Sequence, residues 1–262
     1  MSKFLCSQVV VALMTTLASA SLYAEDSVTA FEFDRPGQAI SPTVAPKGHL
    51  AWEQALPSMS YDRKKIDGQT YTQLNIQGDV LLRAGIGHDT ELRLGWDGPM
   101  WTREKLAQQK RETDGVGDVR IGVKKAIDLN DEASKWAVLA QVQLAVGDDG
   151  FSEPEDIYTL GSTYSYQFSS DITTGITMLY DYQDGDLAVT AIPNIQYPIA
   201  GNVTGFSEYV LRKKEHHGVE SVIQTGLSWL MLDRLQFDGV VGYSVSERNP
   251  DFNAGLGVSY LF

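Results

Sequence analysis

Apolar and polar residues alternate along most of this chain. Between Asp118 and Ala126, Val119, Ile121 and Val123 share one face while Arg120 and Lys124 share the other. Between Trp136 and Val146, Trp136, Val138, Ala140, Val142, Leu144 and Val146 oppose Gln141 and Gln143. Ile172, Ile176, Met178 and Tyr180 oppose Thr173, Thr177 and Asp181. Near the end, Phe252, Ala254, Leu256, Val258, Tyr260 and Phe262 oppose Asn253, Ser259 and two glycines. A strand turns successive side chains to opposite faces, so a period of two predicts strands with one apolar and one polar wall. About twelve such runs follow one another: 49–61, 71–83, 90–97, 117–126, 136–147, 157–168, 171–183, 187–198, 202–211, 218–230, 234–246 and 251–262. Most come near the ~9–11 residues that a tilted strand needs to cross a bilayer. No helical stripe competes. The phase of 202–211 stays open between Val203/Tyr209 and Phe206/Val210, and 187–198 contains Pro193.

The predicted fold class is all-β: a transmembrane antiparallel β-barrel of about 12 strands over residues 49–262. With the last strand ending at the periplasm, the longer connections 98–116, 148–156, 212–218 and 247–251 are outer loops. Residues 169–170 and 200–201 are periplasmic turns, and 127–135 is long for one. Trp52, Trp136 and Trp229 then fall near the periplasmic interface, with Tyr61, Tyr71, Trp96, Tyr158 and Tyr182 near the opposite rim. Two aromatic belts are expected of a membrane barrel; core aromatics of a soluble barrel are the alternative. The final Val258-Ser-Tyr-Leu-Phe262, through Tyr260 and Phe262, has the form of the signal by which outer-membrane barrels reach their assembly machinery.

Two segments precede the barrel. Residues 1–24 carry Lys3, an apolar stretch from Val9 to Leu17 and then small residues, the pattern of a cleaved secretory signal peptide. Cleavage follows Ala24 or Ala20; Ala24 is favoured because Glu25 and Asp26 then open the mature chain. The single cysteine, Cys6, lies in this leader, so the mature chain is expected to have no disulfide and no cysteine metal site. Residues 25–48 are irregular, with three prolines and two glycines. They are either a partial plug inside the barrel or a flexible periplasmic lead.

The formal charge of -13 excludes nucleic acid as a partner, which would demand clustered cations. Alternation places Glu53, Asn75, Gln77, Glu91, Arg93, Asp97, Arg120, Lys124, Gln141, Gln143, Glu208 and Asp238 on the inner wall. Charges facing lipid are costly, so this set is expected to line a hydrated passage or to staple a closed lumen with ion pairs. No metal or cofactor is expected. The acidic loop Asp148–Asp156 lacks the spacing of a calcium loop, and His216-His217, beside Lys213 and Lys214, are a weak metal signal that also suits lipopolysaccharide phosphates. No enzyme is expected: His49 and His88 fall at strand ends, the other two histidines at a loop tip, and no nucleophile motif appears.

Asp34-Arg35-Pro36, Ser41-Pro42-Thr43-Val44, Pro46-Lys47-Gly48, Glu53, Leu82-Arg83-Ala84-Gly85-Ile86, Glu91-Leu-Arg-Leu-Gly95, Gly115-Val-Gly117-Asp118-Val119 and Gly122-Val-Lys-Lys125 form a further pattern, with echoes at Phe206-Ser-Glu-Tyr209 and Asp238. In these residues the chain resembles the outer-membrane transporter family named for the meta-pathway of phenol degradation. One departure is Leu144-Ala-Val-Gly147, where a Pro before the Gly is expected. The resemblance implies an outer-membrane channel for small hydrophobic or aromatic compounds. The expected function is passive passage of small molecules, with outer-membrane lipid, lipopolysaccharide and the assembly machinery as partners. A structural or adhesive barrel with a closed lumen is the alternative.

Overall fold

The computed structural model describes residues 31–246 and 250–262. The predicted leader, with Cys6 and both cleavage sites, lies outside the described residues, as do residues 25–30 and part of the loop 247–251.

Among the described residues there are fifteen strands: β1 (Leu50–Ile66), β2 (Gln69–Gln77), β3 (Val80–Gly87), β4 (Thr90–Trp96), β5 (Pro99–Leu106), β6 (Gln109–Val116), β7 (Val119–Ile127), β8 (Ser134–Leu144), β9 (Ile157–Gln167), β10 (Thr173–Gln183), β11 (Asp186–Ala200), β12 (Val203–Lys214), β13 (Val219–Leu232), β14 (Leu235–Ser244) and β15 (Phe252–Leu261). Three successive pairs, β2/β3, β4/β5 and β6/β7, are halves of single staves interrupted at 78–79, 97–98 and 117–118. The result is a barrel of twelve antiparallel staves. It closes where β1 meets β15, from Ala51↔Leu261 to Tyr61↔Phe252.

The interruptions line up. The β1–β15 ladder shifts register between Ala55 and Ser58, around Pro57, which has no N–H to give. Gly78 N–H donates to Pro99 O (3.1 Å), Gly117 N–H to Gly98 O (2.9 Å) and Asp97 N–H to Asp118 O (2.9 Å). Gly98 sits at φ 74° with its α-carbon against the Gly78 carbonyl, so closely that a Cβ would lie 2.0 Å from that oxygen. Only glycine fits there. Along this level the sheet divides. Below it β1 pairs with β3 and β4 with β7; above it the order is β1–β2–β5–β6, and among the described residues β6 pairs with β5 alone.

The wall is dressed opposite to a water-soluble core. Leu92, Ile121, Leu160, Ile223 and Leu256 lie on the outside, with Leu160 and Leu256 65% and 61% exposed. Glu53, Arg83, Glu91, Lys124, Thr177 and Ser259 are buried inside, each 1% exposed or less. Along the third stave the outer residues are Leu92, Leu94, Trp96, Pro99 and Trp101, before Arg103 and Lys105. From Leu92 to Trp101, a strand rising ~3.3 Å per residue at a ~40° tilt climbs roughly 23 Å, close to the ~25 Å apolar band of outer-membrane barrels.

Two expectations are corrected. Residues 98–116 are not a loop but a hairpin, β5 and β6, turning at Ala107 (φ 52°). Here Thr102 and Glu104 face one way, Arg103 and Lys105 the other. With polar residues on both faces, no apolar wall betrays the strand. Likewise 62–70 is mostly strand. The open phase of 202–211 resolves with Phe206 and Val210 inward beside Glu208, and Tyr209 outward. The long turn at 128–133 is tied by its own carboxylates, Asp128 accepting from Asn130 N–H (2.8 Å) and Asp131 from Ala133 N–H (3.1 Å). At Pro193 the β11–β12 ladder passes from Ala191↔Leu211 to Asn194↔Glu208 without the intervening pairs.

Candidate functional site: a lumen filled by the N-terminal segment

Residues 31–48 lie inside the barrel. Their prolines and glycines exclude a strand, so their backbone groups find other partners, and the inner wall supplies them. The segment first closes on itself: Glu32 N–H donates to Thr43 Oγ1 (2.9 Å) and Ser41 N–H to Asp34 Oδ1 (3.0 Å). It then meets almost every stave. Arg35 N–H donates to Glu53 (2.8 Å) and its guanidinium to Asp238 (3.2 Å) and Leu256 O (3.1 Å). Gln38 and Ala39 N–H donate to the two oxygens of Glu208 (2.6 and 3.2 Å). Ile40 is held on both sides, its N–H by Thr177 (3.1 Å) and its carbonyl by Thr163 (2.6 Å). Ala45 N–H donates to Glu91 (2.7 Å), and Lys124 Nζ reaches Ser41 O (2.9 Å). Glycines on both sides permit the fit. A Cβ on Gly85 would lie 2.1 and 2.3 Å from the carbonyls of Pro46 and Ala45, one on Gly257 2.2 Å from Arg35 Nε, and one on Gly37 2.6 Å from Glu208 Oε2.

The strongest anchor is ionic. Arg83 contacts Asp34 (3.3 Å), Glu53 (3.0 Å) and Glu91 (2.9 Å); Arg93 contacts Asp34 (2.5 Å) and Glu91 (2.8 Å); Lys124 contacts Asp34 (3.5 Å) and Glu91 (3.2 Å). Three cations and three carboxylates balance, as buried charge requires. Burial by itself would push the Asp34 carboxyl up. The charges of Arg83, Arg93 and Lys124 outweigh it and hold Asp34 well below the usual carboxylate range. Arg83 also donates to Glu32 O (3.0 Å) and Thr43 O (2.9 Å) and stacks on Phe31 (4.6 Å).

The residues expected on the inner wall are distributed unevenly. Arg93 and Lys124 pair with Asp34, Glu53 and Glu91 join the same cluster through the cations, and Glu208 and Asp238 grip the segment from the far side. Asn75 and Gln77 face inward above the line of interruptions, Asn75 bonded to Ser60 and Thr102. Asp97 and Arg120 pair at 2.6 Å, and Arg120 and Gln141 border the space outside the plug. Gln143 instead donates to Asp118 (3.1 Å). Of the motif residues, Asp34, Arg35, Pro36, Pro46, Lys47 and Gly48 belong to the filling segment, and Gly48 N–H continues into the wall at Gly85 O (2.9 Å). Asp118, beside Gly117, accepts from Val146, Gly147 and Glu153 N–H and from Ser152 Oγ (3.1, 3.0, 2.9 and 2.6 Å), pinning the outer loop 145–156. A proline at 146 would lack one of those donors. In that loop Asp148 accepts from Val116 N–H (3.1 Å) and Asp156 from Ala145 N–H (2.9 Å), so these carboxylates are already engaged. At the final strand Tyr260 and Phe262 meet edge to face, 4.7 Å apart. Arg83 is the functional residue the inner-wall reading missed: it stood in the motif 82–86, and inward alternation from Leu81 to Gly85 was the signal.

Among the described residues, spaces of about 230 and 240 Å³ border the segment. One is bordered by the plug and by Thr163, Asn194, Thr204 and Gln236; the other by the plug, Asp79, Arg120 and Gln141. Between them the chain from Asp34 to Ile40 borders both. Beside Ala39 the inner wall turns apolar, with Ile192, Val210 and Val222 packed together.

The sequence model of the family described as "Putative MetA-pathway of phenol degradation" matches residues 33–262, from the filling segment to the last strand. The chain belongs to this family. No curated protein matches it in sequence. This chain's barrel is similar to an outer-membrane channel from Pseudomonas putida F1, at 11% identity and a TM-score of 0.65, over 88% of this chain and 100% of that one. It is also similar to the translocator domain of the autotransporter NalP from Neisseria meningitidis (12% identity, 82% and 88% covered, TM-score 0.54). A third likeness is to the KdgM porin in complex with disordered oligogalacturonate (12% identity, 82% and 99% covered, TM-score 0.51). At these identities the likeness is one of fold.

Proposed function

We propose that this member of the phenol-degradation family resides in the bacterial outer membrane, exported by a cleaved leader, and passes small apolar solutes without energy coupling. The observation that carries the reading is the combination of an apolar outer band with a lumen whose bore is filled by the chain's own segment 31–48. An open, water-filled bore suits hydrophilic solutes; a filled one excludes them and leaves small spaces. The apolar inner patch at Ile192, Val210 and Val222 is covered by Ala39, and it would meet a hydrophobic solute where the segment moves aside. The family's association with phenol degradation and its fold likeness to outer-membrane channels agree with this.

Influx into intact cells tests it. Cells expressing the protein should take up N-phenylnaphthylamine, a dye that fluoresces in apolar surroundings, faster than empty-vector cells, while hydrolysis of a periplasmic β-lactamase substrate stays unchanged. A rise in both would mark a general porin. A rise in neither would favour a closed structural barrel.

A further inference from the structure

The four strands above the line of interruptions present two unlike faces. Cross-strand partners share a face, so the rows can be read directly. Ser60↔Asn75↔Thr102↔Thr113 and Asp62↔Gln73↔Glu104↔Arg111 face the mouth. Met59↔Ile76↔Trp101↔Asp114, Tyr61↔Leu74↔Arg103↔Glu112 and Arg63↔Thr72↔Lys105↔Lys110 face outward, away from the lumen. Climbing this outer face, the apolar band ends at Tyr61, Leu74 and Trp101, and five cations follow: Arg63, Lys65, Arg103, Lys105 and Lys110, all exposed. Glu112 and Asp114 are the acids in these rows, with Asp251 accepting from Arg63 N–H (2.9 Å) at the edge, and Glu112 already accepts from Arg103 (3.0 Å) and Lys110 (2.6 Å). Arg103 stacks on Trp101 at 4.8 Å, at the top of the band.

Lys105 and Lys110 are directly opposite each other across β5 and β6. Like charges so placed destabilise a sheet. The cost falls in a chain with a net charge of -13, where cations are scarce, and Arg63 adds a third cation to the same row beyond Thr72. An anion seated on the row would turn the repulsion into attraction.

We infer that this outward patch, Arg63, Lys65, Arg103, Lys105 and Lys110 above Met59, Ile76 and Trp101, binds the phosphorylated disaccharide headgroup of outer-leaflet lipopolysaccharide. The inference rests on the outer-membrane placement proposed above and names the surface that reads the lipid. The three inter-strand spacings from β1 to β6 span roughly 14 Å, the scale of such a disaccharide. Acyl chains below would lie along the apolar band. Lys213 and Lys214, by contrast, sit on a hairpin where Glu215 lies beside them and Asp186 faces Lys214 at 3.8 Å.

The test uses the full mature barrel in detergent, with folding confirmed by heat-modified gel mobility and placement by membrane fractionation. The probes are bisphosphorylated lipid A, its monophosphoryl form and inorganic phosphate. Lipid A should bind and raise the unfolding temperature, the monophosphoryl form should bind more weakly, and inorganic phosphate should do neither. Combined Arg63→Gln, Lys105→Gln and Lys110→Gln should weaken lipid A binding at least ~10-fold, while Lys213→Gln with Lys214→Gln should leave it unchanged. Lys105→Glu supplies a sign test. It removes the like-charge pair, so the lipid-free barrel should gain thermal stability while lipid A affinity falls. Equal binding by the triple variant, loss only in the hairpin variant, or an equal response to inorganic phosphate would each overturn the patch. A chain that folds but fractionates away from the outer membrane would overturn the placement instead.

Discussion

Asp34 stands among Arg83 of β3, Arg93 of β4 and Lys124 of β7, with Glu53 and Glu91 as the neighbouring acids. Asp34→Asn would keep its shape and leave the three cations with two carboxylates. Stripping one partner from a buried charge set costs ~3–5 kcal/mol, roughly 10²- to 10⁴-fold in the ratio of docked to free segment. The expected result is larger and more frequent conductance steps in planar bilayers, with faster chymotrypsin cleavage near Phe31 and Phe33, in a barrel that still shows heat-modified mobility. Acid should do the same. The docked carboxyl titrates below the free one, so its contribution to docking is fully present above about pH 4, the ordinary aspartate value, and is lost as pH falls through the docked value. Cleavage at Phe31 and Phe33 by an acid-tolerant protease should therefore accelerate as the pH falls below about 4.

At the scale of elements, the filling segment docks by shape as well as charge. Gly85→Ala alters no charge and no strand propensity of consequence, yet its Cβ would collide with two backbone carbonyls of the segment at 2.1 and 2.3 Å. Backbone cannot rotate aside as a side chain can, so this variant should release residues 45–48 and raise conductance, while its unfolding temperature changes little. How far such elements could be read beforehand depended on what bathes their two faces. β7 was legible because Val119, Ile121 and Val123 meet an apolar exterior while Arg120 and Lys124 meet the inside. β5 and β6 were not, because both faces there carry polar side chains. β12 kept its phase hidden because Phe206 and Val210, inside, match Val203 and Tyr209, outside, in apolar character. Likewise Glu53, Glu91, Arg93 and Lys124 could be placed on the polar wall by alternation alone. The acid that joins their cluster could not: Asp34 lies in a segment without periodicity, and only the closed barrel brings it to Arg93 and Lys124.

At the scale of the molecule, the segment and the wall together set what passes. Removing residues 31–47 while keeping Gly48 and the strands should raise single-channel conductance severalfold and let small hydrophilic solutes through. It should also lower the unfolding temperature, since Glu53, Arg83, Glu91 and Lys124 would then face a bore without Asp34. Larger conductance with unchanged thermal stability would show the ion cluster to be self-sufficient.

The contacts of residues 35–45 reach the first stave at Glu53, the third at Glu91, the seventh at Thr177, the ninth at Glu208 and the eleventh at Asp238. A segment that must touch opposite sides at once works as a gauge of circumference. A barrel enlarged by a duplicated hairpin would carry Glu208 and Asp238 out of its reach, and one short of a hairpin would leave it no room. Variation in this architecture is thereby steered away from stave number and toward the loops, the inner side chains and the gauge itself.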